Sequence, residues 1–486
     1  MKKILKATSS ISVSTAVVLI CAFLKNKTFA IYLGVTGLGI ISQLTNLITL
    51  LNYFVPLGIP NGLSKIIAEE NIFEKERLKK IFLSSLSLVF FPVVFFSVIF
   101  FLFSGLISEF LFESIEYESY IKIISVFLPF IAFSSMLEGF IRGLKVINLY
   151  VKLIIISNIF NLLIIIPLVL LYGIKGAIIG ILTSNVIYIT FSIYYLTKNK
   201  IIDKFEIIKE FDKELFYKII KVSFVFLISG AFFQLSLLML RKMIIADLGI
   251  YYNGIFQSVI GISISYFGFI FLSLSTYSFP TISKMSDIDE INNELNINVK
   301  YIMLLMVPLV ILVFSFRYLV ISVLFSKDFF PSESLFVYQF LGDYFKALAW
   351  AIGIWLVPKM KLKVFVLLEV ILNFNLIFIF YIILLSGQNN ILYVSVTYLI
   401  AYCIHFILNY VFSKKLIKFE FTKENRKLFF TSIVVLISAM LISQLSYIAG
   451  MIAALPVLAL WFYLSIKKEE MLEIKKIFLS VIRKYT

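Results

Sequence analysis

Long apolar runs, separated by short charged or glycine-marked breaks, follow one another from residue 8 to residue 466. Most reach roughly 18 residues or more, the length a helix needs to cross the hydrocarbon core of a bilayer. They fall near 8–33, 38–63, 81–105, 120–141, 150–172, 175–197, 222–247, 251–280, 300–324, 334–357, 363–386, 390–412, 428–447 and 450–466. The pattern predicts an all-α polytopic membrane protein of about fourteen transmembrane helices. Two stretches read differently. Phe205, Ile208, Phe211, Leu215 and Ile219 recur at helical spacing among charges, as do Met471, Ile474, Phe478 and Val481. Both predict helices lying on a membrane surface. The chain accordingly divides into an N-lobe of helices 1–6 (1–200) and an amphipathic linker (201–221). A C-lobe of helices 7–12 (222–415), two additional helices (428–466) and an amphipathic tail (467–486) follow.

Composition agrees. With 61% hydrophobic and 15% charged residues and a mean hydropathy of +1.02, a soluble globular protein is excluded. The basic start Met1-Lys2-Lys3 runs into the first apolar stretch without a small-residue cleavage site, so it reads as an uncleaved span. The net charge of +16 raises a nucleic-acid reading, but the distribution of charge argues against it. Basic clusters at the N-terminus, 65–80, 142–152, 198–221, 359–363, 414–427 and 467–484 fall on one side of the predicted topology. By the positive-inside rule that side is cytoplasmic, and it holds both termini. Cys21 and Cys403 both lie in apolar spans and read as buried thiols rather than a disulfide or metal pair.

Against this background a repeat stands out. Lys25 and Lys27 lie inside the first span; Arg241 and Lys242 lie inside the seventh. One gapless register puts Lys27 on Lys242, Leu33-Gly34 on Leu248-Gly249, and Gly39-Ile40 on Gly254-Ile255. Coincidence of common membrane dipeptides is the competing account. In both copies a cationic span leads through a glycine-marked turn into the next span. A charge at the bilayer centre costs roughly 2.5–3.5 kcal/mol, so its recurrence points to a cationic path for an anionic cargo. An even number of spans separates the copies, so the lobes repeat in parallel. Lys27, having the repeat partner, is the candidate for the lumen. The alternative, both lysines snorkelling from a span that ends at Leu24, leaves only about 14 apolar residues to cross.

Other polar groups fall inside spans. Asp343 and Lys346 share a helix face three residues apart, where an ion pair lowers the insertion cost. Glu369 has no obvious local partner, Lys346 and Lys359 being the candidates, and a carboxylate so placed is a candidate proton site. Glu138 and Arg142 are four apart at the end of a span, suited to a pair or a surface anchor. His405, the one histidine, reads as a hydrogen-bonded packing residue. Gln43, Asn46, Asn52, Gln257, Ser263 and Ser265 suit either a sugar path or interhelical hydrogen bonds. No phosphate-binding glycine loop, zinc signature or nucleophile elbow appears in the sequence.

Several of these stretches also resemble a family. Asn26-Lys27, Tyr32-Leu33-Gly34, Thr36-Gly37-Leu38-Gly39 and Gly58-Ile59-Pro60-Asn61-Gly62 with Lys65 resemble the opening of bacterial O-antigen flippases. These form the lipid-linked oligosaccharide branch of the multidrug/oligosaccharidyl-lipid/polysaccharide exporter superfamily. Arg241-Lys242, Gly254-Ile255-Phe256-Gln257, Tyr277 to Lys284, Gln339 to Lys346 and Leu368-Glu369-Val370 add to it. The likeness is to flippases of the enterobacterial-common-antigen type and covers spans 1 to 12. It implies a V-shaped transporter of two six-helix lobes in the bacterial inner membrane. Such a transporter turns an undecaprenyl-pyrophosphate-linked repeat unit from the cytoplasmic to the periplasmic face by alternating access. The family's basic lumen positions carry over onto Lys27, Arg142, Arg241, Lys242 and Lys346, and its acidic ones onto Asp343 and Glu369. At Ile264 some relatives are expected to have a carboxylate, which puts coupling through that position in doubt. The expected substrate is a lipid-linked oligosaccharide, with membrane lipids and a polymerase and chain-length regulator of the pathway as partners. No cofactor is expected; an H+ or Na+ gradient is the candidate driving force. A drug/cation antiporter, which would need an acidic lumen, is one competing reading. A membrane-embedded polymerase, which would need a long outer loop, is another, and a purely structural membrane partner a third.

Overall fold

The computed structural model describes residues 2–70, 75–198 and 213–465. Every regular element among them is helical. The first seven are α1 (Lys2–Phe54), α2 (Ile59–Glu70), α3 (Lys75–Leu102), α4 (Ser104–Phe112), α5 (Glu118–Gly143), α6 (Ile147–Lys198) and α7 (Lys213–Leu248). Next, α8 (Ile250–Ile262) runs through a π-helical turn at Ser263–Phe267 into α9 (Gly268–Lys284). The chain continues as α10 (Ile288–Ser315), α11 (Arg317–Leu324), α12 (Glu333–Gly353), α13 (Leu362–Leu385) and α14 (Leu392–Ile417). It finishes, within the described residues, with α15 (Lys423–Leu445) and α16 (Tyr447–Ser465). Of the surface helix expected over 201–221, residues 201–212 lie outside the described residues and the rest opens α7. The tail expected over 467–486 also lies outside them.

Nine helices among the described residues are long and apolar enough to cross a membrane. Two of them are far longer than one crossing: at 1.5 Å per residue, α6 with its 52 residues would run to about 75 Å if straight. Glycine resolves this. Gly34 inside α1 has φ 66°, ψ −168°, and Gly173 inside α6 has φ 56°, ψ −131°. These backbone conformations are closed to side-chain-bearing residues, so each helix breaks into two segments there. The breaks coincide with the division expected between spans 1 and 2 and between spans 5 and 6. The repeat copy of Gly34 behaves alike, because Gly249 has φ +99° between α7 and α8. A Cβ at Gly34 or Gly249 would meet no atom within 4 Å, so the demand for glycine is conformational and not steric. Gly34→Ala and Gly249→Ala are each expected to lower stability by about 1–3 kcal/mol. Detergent-solubilised thermal unfolding checks this; an unchanged midpoint would remove the conformational argument.

The chain gathers into two compact units. The first comprises Met1–Ser258 with Leu324–Phe329 and Leu376–Ile391. There α5 is surrounded by α2, α3 and α6, while α1 lies along α6 and α7. Its core includes Leu44, Ile59, Leu63, Ile131, Met136 and Phe140, with the Phe82 ring set edge-on to Phe140 at 5.2 Å. The second unit comprises Val259–Val323, Phe330–Asn375 and Leu392–Thr486. Its longest packing face joins α12 to α14, and α10 is covered by α12, α15 and α16. Here Ile302, Met306, Phe336, Phe340 and Tyr344 are fully buried. Thr422 caps α15 by accepting from the Asn425 N–H, and the Asn425 amide donates in turn to the Asn296 carbonyl at 2.8 Å.

Both units expose large apolar side chains that water would not tolerate in such number. Phe90, Phe91, Leu102 and Leu106 project from the first, and Phe374, Leu445 and Leu455 from the second. Phe91 and Leu455 are each 73% exposed. Acyl chains are the solvent that suits these faces.

Candidate functional site

Among the described residues the most deeply embedded cation is Arg241, on α7 and only 2% exposed. Its setting starts from glycine. The second segment of α1 crosses α8 so closely that a Cβ on Gly39 would lie 2.4 Å from the Ile250 carbonyl oxygen. One on Gly254 would lie 2.0 Å from that of Val35. These two glycines occupy equivalent positions of the repeat. The near contact lets Asn253 donate to the Gly39 carbonyl at 2.7 Å and brings Ser42 within reach of α7. Arg241 Nη1 donates to Ser42 Oγ at 2.8 Å and to Asn253 Oδ1 at 2.9 Å; Nη2 donates to Gln257 Oε1. Ser42 and Gln257 are themselves repeat equivalents. The guanidinium lies 5.2 Å from the Phe256 ring centre, and its Nε–H finds no hydrogen-bond partner. No carboxylate of the described residues acts on it. The charge is thus oriented by neutral acceptors and makes no ion pair among the described residues.

The flanking lysines are held by other groups. Lys242 Nζ is 3.5 Å from Glu113 Oε1 and 4.8 Å from the centre of the Phe110 ring. Lys27 is half-buried and donates to the Phe325 carbonyl. Arg142 belongs to a different place, at the C-terminal end of α5. Its Nη2 donates to Asn61 Oδ1 at 2.9 Å, and its Nε is 3.7 Å from Glu138 Oε1. Tyr150 OH donates to the same carboxylate oxygen at 3.2 Å. The pairing of Glu138 with Arg142 follows the four-residue spacing. Asn61 joins because Leu57 and Gly58 are both left-handed (φ 51° and 70°), turning the chain sharply between α1 and α2. Gly139 then lets α5 rest on Pro60, whose carbonyl oxygen would be 2.1 Å from a Cβ there.

In the second unit, the fully buried Asp343 on α12 accepts from Ser263 Oγ and, at 2.8 Å, from Tyr398 OH on α14. Gln339 Nε2 donates to Ser263 Oγ at 3.2 Å. Lys346 donates to Tyr398 OH at 3.2 Å and stands 5.4 Å from the Tyr402 ring centre. Helical spacing puts Asp343 and Lys346 on one face, but the tyrosine hydroxyl stands between the two charges. Glu369 on α13 is half-buried and within the electrostatic reach of Lys346. Ser263 opens the π-helical turn, so the helix is locally widened where it meets Asp343.

The remaining polar positions divide as the two sequence readings allow. Gln43 donates to the Leu111 carbonyl at 3.4 Å, and Asn46 to that of Gln234 at 3.1 Å. These are interhelical bonds. Asn52 instead lines a cavity with Arg142. His405 is buried, its ring edge-on to Tyr402, with Nδ1 unpartnered. Cys21 and Cys403 are free thiols. Four residues that matter here went unselected by sequence: Ser42, Asn253 and Tyr398, and Asn61 as a partner of Arg142. Ser42, Asn61 and Tyr398 meet their charges only through a crossing of helices distant in the chain, whereas Asn253 is twelve residues from Arg241, on the helix that follows α7. The one available signal was register, since Ser42 falls on Gln257.

A family profile described as polysaccharide biosynthesis protein matches residues 4–286 of the chain. The chain belongs to that family. The match takes in Lys27, Arg142, Arg241 and Lys242, and it bears out the resemblance seen in Tyr32-Leu33-Gly34 and Gly254-Ile255-Phe256-Gln257. Within the described residues, this polysaccharide biosynthesis family protein is wholly helical, as expected. Among characterised relatives, the Lipid III flippase of Escherichia coli (strain K12) is 25% identical over 375 residues, covering 77% of this chain and 90% of that protein. A protein of the same name from Shigella flexneri gives the same figures. The chain also shares its fold with solved structures. Lipid II flippase MurJ in an inward closed conformation aligns with TM-score 0.69 and 17% identity, covering 93% of this chain and 98% of that one. An inward-facing multidrug resistance MATE family transporter of the MOP superfamily aligns with TM-score 0.70 and 14% identity, covering 82% and 96%.

Proposed function

We propose that the chain is a flippase for lipid-linked oligosaccharides. It carries undecaprenyl-pyrophosphate-linked O-antigen, or related surface-polysaccharide units, from the cytoplasmic to the periplasmic leaflet of the bacterial inner membrane by alternating access. The chain crosses the membrane fourteen times with both termini cytoplasmic. The observation that carries this reading is Arg241, a buried cation oriented by three neutral side chains and paired with no acid among the described residues. Apolar surroundings make such a charge costly, and a pyrophosphate head group is a ligand that would offset that cost. Lys27 and Lys242, in the same unit, serve the same anion; Lys346 offers a cation to the cargo within the second unit, and the polyprenyl tail stays in lipid. Similarity to the Lipid III flippases supports the substrate class. The polymerase and chain-length regulator of the polysaccharide pathway are its partners.

In this reading Asp343 and Glu369 couple the cycle to an H+ or Na+ gradient. Asp343 is the better placed, being enclosed by two hydroxyl donors with Lys346 one hydroxyl away. A drug/cation antiporter fits less well, because Asp343 is already engaged by two hydroxyls and the buried charge of the first unit, Arg241, is positive. The decisive test is complementation of a flippase-null strain, with fluorescent lipid-linked oligosaccharide translocation in proteoliposomes beside it. Restored surface polysaccharide together with inward-to-outward transfer is expected. Transport of organic cations with no transfer of the lipid-linked sugar would replace this proposal with the antiporter reading.

A further inference from the structure

The cavity beside Arg142 differs in chemistry from the surroundings of Arg241. It encloses about 300 Å³ within the first unit, at the low end of the roughly 300–1,000 Å³ usual for small-ligand sites and enough for one monosaccharide. In a fold built of aliphatic and aromatic side chains its wall is conspicuously polar. Asn52, Asn61 and Asn185 supply amides, Thr49 and Ser135 hydroxyls, and Tyr53 a ring. Several of these groups are available. Asn52 makes no side-chain hydrogen bond among the described residues, and Asn61 engages only its carbonyl oxygen, toward Arg142. The Tyr53 ring is fixed from behind, since it occupies the space a Cβ would need on Gly230 of α7, 2.0 Å away.

Charge decides which part of a cargo suits this cavity. Glu138 and Arg142 neutralise one another across 3.7 Å, so a pyrophosphate would meet a carboxylate as soon as it met the guanidinium. A neutral ring rich in hydroxyls meets no such conflict. Amide side chains complement its hydroxyls and an acetamido group with both donors and acceptors. A carboxylate accepts from a hydroxyl, and an aromatic face covers the apolar C–H side of a pyranose. We propose that this cavity is a sugar-binding site that takes one neutral, acetamido-bearing pyranose of the transported head group, apart from the cation that holds the pyrophosphate. This rests on the flippase reading given above.

The full chain in lipid nanodiscs is titrated with two probes, farnesyl pyrophosphate and farnesyl-pyrophosphoryl-N-acetylglucosamine. The unmodified protein is expected to hold the glycosylated probe about tenfold tighter, the gain from one or two net hydrogen bonds. Ser135→Phe and Thr49→Phe fill the cavity from two different helices. Each is expected to erase that difference while leaving the affinity for the bare probe unchanged, which also reports an intact fold. Asn52→Ala, which adds no bulk, should weaken only the glycosylated probe, by about threefold or more. Equal preference for the glycosylated probe in all variants would overturn the sugar site and leave the flippase reading standing. So would an unmodified protein that does not distinguish the probes. Failure of the unmodified protein to bind either probe would overturn the flippase reading, and this inference with it.

Discussion

Arg241→Met is expected to yield a protein at least as stable as the parent that transfers lipid-linked sugar at least about tenfold more slowly. A buried charge without a counter-ion is a burden on folding, and apolar replacement of buried ionic groups is often neutral or stabilising by about 1–4 kcal/mol. Methionine is flexible enough to fill the vacated space beside Phe256. It leaves Asn253 Oδ1 and Gln257 Oε1 without their donor, while Ser42 Oγ still accepts from the Asn253 amide at 3.3 Å. Arg241→Lys should fall between, because a point charge on a flexible stem cannot reach three acceptors at once. Thermal unfolding and proteoliposome transfer read the two effects separately. A strongly destabilised Arg241→Met that still transfers substrate at the parental rate would make the arginine a structural tie and remove its role in transport.

The second large effect is expected at Asp343. Asp343→Asn keeps the size and the hydrogen-bonding outline of the side chain but removes the charge. Transfer driven by an imposed ion gradient should drop about tenfold or more, while gradient-independent exchange of lipid between leaflets persists. Tyr398→Phe should act differently. It withdraws the hydroxyl from both Asp343 and Lys346, leaving buried charged groups short of a partner at a cost of about 1–3 kcal/mol. Gradient dependence should weaken in parallel. Unaltered gradient dependence in both variants would take the coupling role away from this group of residues.

What could be read before any coordinates depended on whether it was local. The helix breaks at Gly34 and Gly173 were legible because a left-handed turn demands a particular residue at a particular place. The kinship of Gly34 and Gly249 was legible because a duplicated segment preserves register. The spacing of Glu138 and Arg142 gave their pairing. Spacing gave the shared helix face of Asp343 and Lys346, but a second helix, through Tyr398, determines what lies between the charges. Of the acceptors around Arg241, Gln257 was among the polar positions read from the sequence, but Ser42 was illegible for a related reason. Ser42 is 199 residues away along the chain, and nothing in a local window says which helices cross.

That crossing carries a further consequence. At Gly39 and Gly254 each chain already fills the volume where the other would place its first side-chain carbon. Neither position accepts even a methyl group without prising the two helices apart, and the hydroxyl and amide that steady the guanidinium sit on those same helices. The smallest possible enlargement, made well away from any charged atom, would therefore loosen the cation's grip as surely as altering one of its partners.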